Sequence, residues 1–308
     1  MIDIFKSDES GLVILEHIRD GCWINAVDPP PAEIDQMAEL GLPYDFITYP
    51  LDRDERARIE WEDNGDTLVV IRIPYFQGTD ADVPYITIPL GIVITQRFVM
   101  TVCSQQSDII NGFTSSRDLS TTKRNRFLLR ILLCTAQKYL AHLREINKTV
   151  DTLEDKLQLS MKNKDLLELL KYQKSLVYFA TALKANQLML ERLQRGHRFQ
   201  MYPDDEDLLE DVITEIQQAI EVTNISSNIL ISTMEAFASI ISNNLNAVMK
   251  FLASVTIVLS LPMLVTSYFG MNVNLPLQSN QFAFMFILGI CFAISVVVIL
   301  LFVRRDWF

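Results

Sequence analysis

The chain has 308 residues and a formal net charge of −11 at pH 7, with 38 acidic against 27 basic side chains. That balance argues against nucleic acid as a partner, because binding phosphate needs a basic face. Four scattered cysteines (Cys22, Cys103, Cys134, Cys291) and three scattered histidines (His17, His142, His197) exclude a disulfide framework, a thiolate zinc site or a histidine ligand cluster as expectations.

In chain order, the opening MIDIFKSDES lacks the basic start and apolar core of a secretory signal. The N-terminal end is therefore expected in the cytoplasm. Residues 1–118 read as an α/β domain. β-branched or alternating runs at 68–74, 85–95 and 98–103 predict strands, with Asn64-Gly65, Gly78 and Pro89 as turn signals between them. A helix is predicted over 31–40, opened by Pro31 and acids and closed by Gly41. Residues 119–200 read as a helical hairpin. Its two arms, 123–159 and 165–195, carry apolar residues at three- and four-residue spacing and break near Asn163 and Gly196.

A third helix opens at Pro203 with the acids Asp204, Asp205, Glu206 and Asp207, which suit a positive helix N-terminus. Neither Gly nor Pro interrupts it before Pro262, which allows a continuous helix of nearly 90 Å. Its part at 201–250 is expected to be a cytoplasmic stalk that carries the chain into the apolar run at 251–269.

Between 251 and 303 there is no Asp, Glu, Lys, Arg or His. The segments 251–269 and 282–303 each have about the 20 residues needed to cross a hydrocarbon core of about 30 Å. Lys250 precedes the first, Arg304 and Arg305 follow the second, and the loop 270–281 has no cation. The positive-inside rule puts both termini, including the tail 304–308, in the cytoplasm and the loop outside. Along the first span, steps of three and four link Asn246, Met249, Ala253, Thr256, Ser260, Met263, Ser267 and Gly270, all small, polar or thioether-bearing. Such a stripe suits close helix packing. It equally suits a water-filled pore, which two spans could enclose only as an oligomer. Having no carboxylate, the stripe would hold a hydrated ion by hydrogen bonds to its water shell; magnesium sheds that shell reluctantly.

At Gly270-Met271-Asn272, directly after an apolar span, the sequence resembles the CorA family of magnesium channels. The resemblance extends to SNNLNAVMKFL (242–252), SLVYFATALKANQLMLERL (175–193), WIN (23–25), ERARIE (55–60) and the terminal RRDWF. It implies an α+β membrane protein: a funnel-shaped homopentamer in the inner (plasma) membrane, with the first spans around the pore and the second facing lipid. It further implies that Gly270, Met271 and Asn272 form the selectivity filter. Asn246 would be a polar ring near the cytoplasmic end, and Met249 with Leu252 a hydrophobic constriction. Leu252 is one place off the stripe's Ala253, and there the family assignment takes precedence. Cytoplasmic Mg²⁺ would close the channel at a subunit interface through Asp211. The family's partner aspartate has no acid in register here, where Ile47-Thr48-Tyr49 stands, leaving Asp45 or Asp52 as substitutes. Many relatives also place acids just after Gly-Met-Asn, whereas 273–283 has none.

The expected function is thus a gated channel for Mg²⁺ uptake, passing Co²⁺ or Ni²⁺ as well, with no organic cofactor. The alternatives are a related zinc transporter, working by efflux or proton coupling, and a non-conducting membrane-anchored sensor. No Gly-rich phosphate loop, GxSxG or HExxH is present, so an enzyme is not expected.

Overall fold

Side-chain alternation organises the N-terminal part of the chain. Along β5 (Thr67–Phe76), Val69, Ile71 and Ile73 enter one hydrophobic core, while Leu68 and Val70 enter another on the opposite face. Both sets are buried because strand side chains point alternately to the two faces of a sheet. The same partition holds in β3 (Trp23–Val27), where Trp23 faces one core and Ile24 and Ala26 the other. The computed structural model describes residues 1–8, 11–114, 119–160, 163–196, 203–273, 281–305 and 307. It divides into two units, Met1–Met234 and Glu235–Phe308. The stretches 115–118, where the α/β domain was expected to end, and 274–280, most of the expected outer loop, lie outside the described residues.

The first unit holds a seven-stranded sheet. It comprises β1 (Ile2–Asp8), β2 (Gly11–Leu15), β3, β4 (Arg58–Trp61), β5, β6 (Tyr85–Ile94) and β7 (Val99–Cys103). The strand order is β2-β1-β3-β7-β6-β5-β4; β3 and β7 pair in parallel and every other pairing is antiparallel. On one face lie α1 (Pro31–Ala38) and α2 (Tyr44–Thr48), contributing Ile34, Met37, Phe46 and Ile47. The other face is covered by α3 (Asp108–Thr114), α4 (Arg124–Ser160), α5 (Asn163–Arg195) and the start of α6 (Pro203–Phe269), through Phe113, Phe127, Leu190 and Val212. Every residue of β7 is buried, as expected for a strand with both faces covered.

The expected strands and helices are present, with two corrections. Strands β1 to β4 add to the three predicted. Pro89, read as a turn signal, instead lies inside β6 opposite Arg72. The register explains why it is tolerated. Glu62 N–H donates to the Asp66 carbonyl and Thr95 N–H to the Phe98 carbonyl. Carried along the strands, this parity turns the backbone of even residues of β5 toward β4, and of odd residues of β6 toward β7. The β7 ladder starts only at Leu90, so the N–H that Pro89 lacks costs at most a bond at the very end of that ladder. Pro74 escapes in the same way, because β4 ends its pairing at Val70.

Beyond the end of β4, the Arg72 backbone also faces an empty edge, and a side chain fills it. Asn186 of α5 accepts the Arg72 N–H at 2.8 Å and donates to the Arg72 carbonyl at 2.8 Å, while the Tyr139 hydroxyl donates to the same carbonyl at 2.9 Å. Asn186 is 1% exposed and Tyr139 fully buried, so the pair stands in for a missing strand in a water-free place. The Arg72 guanidinium donates to the carbonyls of Arg53, Glu55 and Thr87.

Two glycines are required by geometry. Gly65 adopts φ +93° in the tight β4–β5 turn, a conformation that L side chains rarely adopt. At Gly91 a Cβ would lie 2.1 Å from Pro50 Cγ, where the short 3-10 turn Tyr49–Leu51 rests on β6.

Among the resemblance motifs, WIN supplies β3, where Trp23 Nε1 donates to Thr101 Oγ1 and Thr101 donates on to Asn25 Oδ1, both at 2.9 Å. ERARIE supplies Arg58, which pairs with Glu55 and with Glu60 (2.7 Å) and lies over the Tyr49 ring. Both serve the fold within this chain.

Candidate functional site

The second unit contains the remainder of α6 and α7 (Ala283–Arg304), both long and apolar enough to cross a membrane. α6 continues through Pro262. Since proline has no N–H, the intrahelical bond to Val258 is missing there.

The positions of α6 fall into two faces. Ser254 is buried and Val255, Val258, Leu261, Pro262, Val265 and Phe269 are partly covered. α7 packs on this face: the Cys291 thiol lies 3.8 Å from the Pro262 carbonyl, and Val255 and Val258 line a groove with Ile299 and Val303. These pairings run in opposite directions along the two helices, which are therefore antiparallel. Asn246, Met249, Ala253, Thr256, Ser260, Met263, Ser267 and Gly270 are all exposed. At 100° per residue, their mean direction lies about 180° from the face that α7 covers. Within one chain, then, the stripe is not the packing face between the two apolar helices. Leu252, 57% exposed, borders it beside Ala253. The spacing of the stripe identifies one face of α6 but not which face α7 takes; Val255 and Val258 belong to the face that α7 covers.

The hydroxyls in this helix have defined polarity. Thr256 Oγ1 donates to the Leu252 carbonyl at 2.8 Å, and Ser254 Oγ to Lys250 at 2.8 Å. A hydroxyl whose proton is committed to the backbone presents only lone pairs outward. Thr256 is therefore an acceptor on the exposed face. Gly270 N–H caps the helix by donating to Thr266 at 2.9 Å, and Met271 and Asn272 follow, both exposed.

The three acids singled out for regulation stand apart in character. Asp211 is an exposed residue of α6. Asp45, exposed on α2, accepts the Tyr49 hydroxyl at 3.2 Å, and Asp52, also exposed, accepts the Asp54 N–H at 3.0 Å. Among the described residues, no three His, Cys, Asp or Glu side chains come together to hold a metal. His142 instead packs in the sheet–helix core. It is 5% exposed, its Nδ1 lies 3.0 Å from Glu145 Oε2, and the same oxygen accepts the Tyr85 hydroxyl at 3.2 Å. Burial pushes the His142 imidazole below its usual range against the opposing pull of Glu145, and the hydrogen bond from His142 lowers the Glu145 carboxyl.

Known proteins share this arrangement. The cobalt/magnesium transport protein CorA of Methanocaldococcus jannaschii is 28% identical over 296 residues, covering 92% of this chain and 90% of that protein. The magnesium transport protein CorA of Helicobacter pylori is 20% identical over the same shares. The complete structure of the M. jannaschii CorA magnesium transporter superimposes with a TM-score of 0.86 at 24% identity, covering 100% of this chain and 99% of that one. The family described as CorA-like Mg²⁺ transporter protein matches residues 19–305. Match and architecture together establish that the chain belongs to the CorA-like Mg²⁺ transporter family.

Proposed function

We propose that the chain forms a gated, homopentameric channel for Mg²⁺ in the inner (plasma) membrane, with both termini cytoplasmic. Residues 251–269 and 282–303 are the spans, 270–281 is the outer loop, and 1–250 with 304–308 is cytoplasmic. The observation that carries this reading is the exposed α6 stripe opposite the α7 contact. A ring of chains would turn those stripes inward, leaving α7 outside toward lipid.

The chemistry of the stripe suits a hydrated cation. Waters bound to a cation direct their hydrogens outward, so the wall around them must accept hydrogen bonds. Thr256 already does so by geometry, and the carboxamide oxygens of Asn246 and Asn272 serve when their NH₂ groups turn away. Asn272, with Gly270 and Met271, filters the ion at the outer end. Met249 and Leu252 close the path by dewetting. The inward-negative potential contributes about 4.6 kcal/mol per 100 mV to entry of a divalent ion, twice the figure for a single charge. Cytoplasmic Mg²⁺ bound between subunits at Asp211, with Asp45 or Asp52 from a neighbour, shuts the channel.

Proteoliposome flux of Mg²⁺, Co²⁺, Ni²⁺ and Zn²⁺, with and without a pH gradient, tests the reading. Wild type is expected to pass Mg²⁺ down its gradient without protons, and Asn272→Ala to lose most of that flux. Zn²⁺ flux that requires a pH gradient would shift the assignment to a zinc transporter. No flux of any ion would leave an anchored sensor.

A further inference from the structure

Between α3 and α4 lies a cavity of about 460 Å³ that the transport reading does not use. Small-molecule sites occupy roughly 300–1,000 Å³. Ile109, Phe113 and Leu119, members of the hydrophobic core, form its apolar lining with Cys134 and Ala141. Arg130, Lys138 and Asp108 supply the charges of its wall. Lys138 Nζ is already paired with Asp108 Oδ2 at 3.0 Å. Arg130 stands about 12 Å further back along α4 and pairs with no carboxylate among the described residues. The wall therefore carries one uncompensated positive charge, on Arg130. Gly112 lines the same cavity from within α3. Glycine is a poor helix former, and here neither a positive φ nor a close neighbour calls for it: a Cβ would meet no atom within 4 Å. At 100° per residue, Asp108, Ile109, Gly112 and Phe113, the α3 residues that line the cavity, fall on one arc with Gly112 inside it. A side chain at 112 would thus project toward the cavity, and glycine leaves that space open.

We infer that this cavity binds a small organic carboxylate with an apolar body, its carboxylate paired with Arg130 and its body lying on Ile109, Phe113 and Leu119 beside Cys134. The lining selects this chemistry. Apolar walls favour a ring or hydrocarbon body over an inorganic anion, and the unpaired guanidinium favours an anion over a neutral or cationic molecule. Its planar fork fits a carboxylate bidentately. One uncompensated cation matches the single charge of a carboxylate better than the nearly double charge of a phosphate monoester. The site lies wholly within the first unit and stands independently of the transport reading.

The test uses the full chain in detergent and follows alkylation of Cys134, which lines the cavity, by iodoacetamide with peptide mass spectrometry. Burial raises the Cys134 thiol, so labelling is run at alkaline pH, where the probe carboxylate stays ionised. The probes share one body: phenylbutyrate, phenylbutanol and phenylbutylamine, their free concentrations fixed by equilibrium dialysis. In wild type, phenylbutyrate should slow labelling at a concentration lower by roughly tenfold or more than phenylbutanol, the difference made by a charge-assisted bond. Phenylbutylamine should act most weakly. Each variant is compared with itself, with and without probe. In Arg130→Gln the acid and the alcohol should act at the same concentration. Gly112→Leu, which fills the cavity, should remove the further slowing by every probe without lowering the unfolding temperature, because leucine is the better helix former. No slowing by phenylbutyrate in wild type, or equal effect of acid and alcohol there, overturns the site. A preference for the acid that survives in Arg130→Gln does the same, and since Arg130 is exposed and unpaired among the described residues, that variant decides the matter whatever Gly112→Leu does to the fold. Protection that persists in Gly112→Leu overturns the placement in this cavity.

Discussion

Replacing Asn186 with alanine should open one particular strand. The carboxamide accepts the Arg72 N–H and donates to the Arg72 carbonyl, each at 2.8 Å, at a position 1% exposed. In Asn186→Ala the carbonyl keeps the Tyr139 hydroxyl at 2.9 Å, but the N–H loses its partner. One lost bond at the carbonyl, about 1 kcal/mol, and the orphaned buried N–H, about 1–3 kcal/mol, sum to roughly 2–4 kcal/mol. Tyr139→Phe spares the N–H and leaves the carbonyl bonded to Asn186, so it should cost only about 1 kcal/mol. The double variant orphans both groups and should exceed the sum by at least about 0.5 kcal/mol. Hydrogen–deuterium exchange on the detergent-solubilised full chain reads this locally, in peptides spanning Thr67–Phe76. A cost of 2–4 kcal/mol predicts exchange faster by roughly 30- to 1,000-fold in that segment. Exchange within about threefold of wild type in Asn186→Ala would refute the argument that the side chain replaces a strand.

Other tests are independent of this one. Because burial depresses the His142 imidazole, the unfolded chain binds the proton more readily, and stability falls as pH drops below the unfolded value of about 6.5. Glu145, also depressed, is stabilising above its own unfolded value and loses that contribution on further acidification. His142→Gln should therefore flatten the fall in unfolding temperature between about pH 7 and pH 5; an unchanged slope would assign it to other groups. Gly91→Ala forces a Cβ to within 2.1 Å of the Pro50 ring, and should lower stability by about 1–3 kcal/mol in denaturant titration. On the regulatory proposal, Asp211→Lys should abolish protection of residues 1–250 from protease by Mg²⁺. An absence of protection in wild type would remove the regulatory proposal.

Much of the architecture was legible because its signals were long. The helical arms carried sustained periodicity, the two apolar helices had no charge to interrupt them, and strands β5 to β7 were apolar on both faces. The shorter strands gave less. In β1, Ile2, Ile4 and the buried Phe5 are interleaved with Asp3 and Lys6, so no sustained alternation marks the strand. Pro89 was misread because its permission to sit in a strand comes from where the neighbouring strand ends, a property of the sheet and not of the segment. The stripe on α6 was visible as spacing. That α7 leaves it uncovered depends on helix rotation, which the spacing of the stripe alone does not fix. The partner of Asp211 stayed illegible because the proposed site draws on a second copy of the chain.

The one-sided placement of the acceptors on α6 bears on biogenesis. A lone chain inserted in a bilayer would offer the stripe's hydrogen-bond acceptors from one side only. A hydrated cation needs partners all around its water shell, so a newly made monomer, or a ring one copy short, would have no route for it. On this reading leakage is prevented during assembly by geometry alone, and the membrane becomes permeable only when the last chain closes the ring.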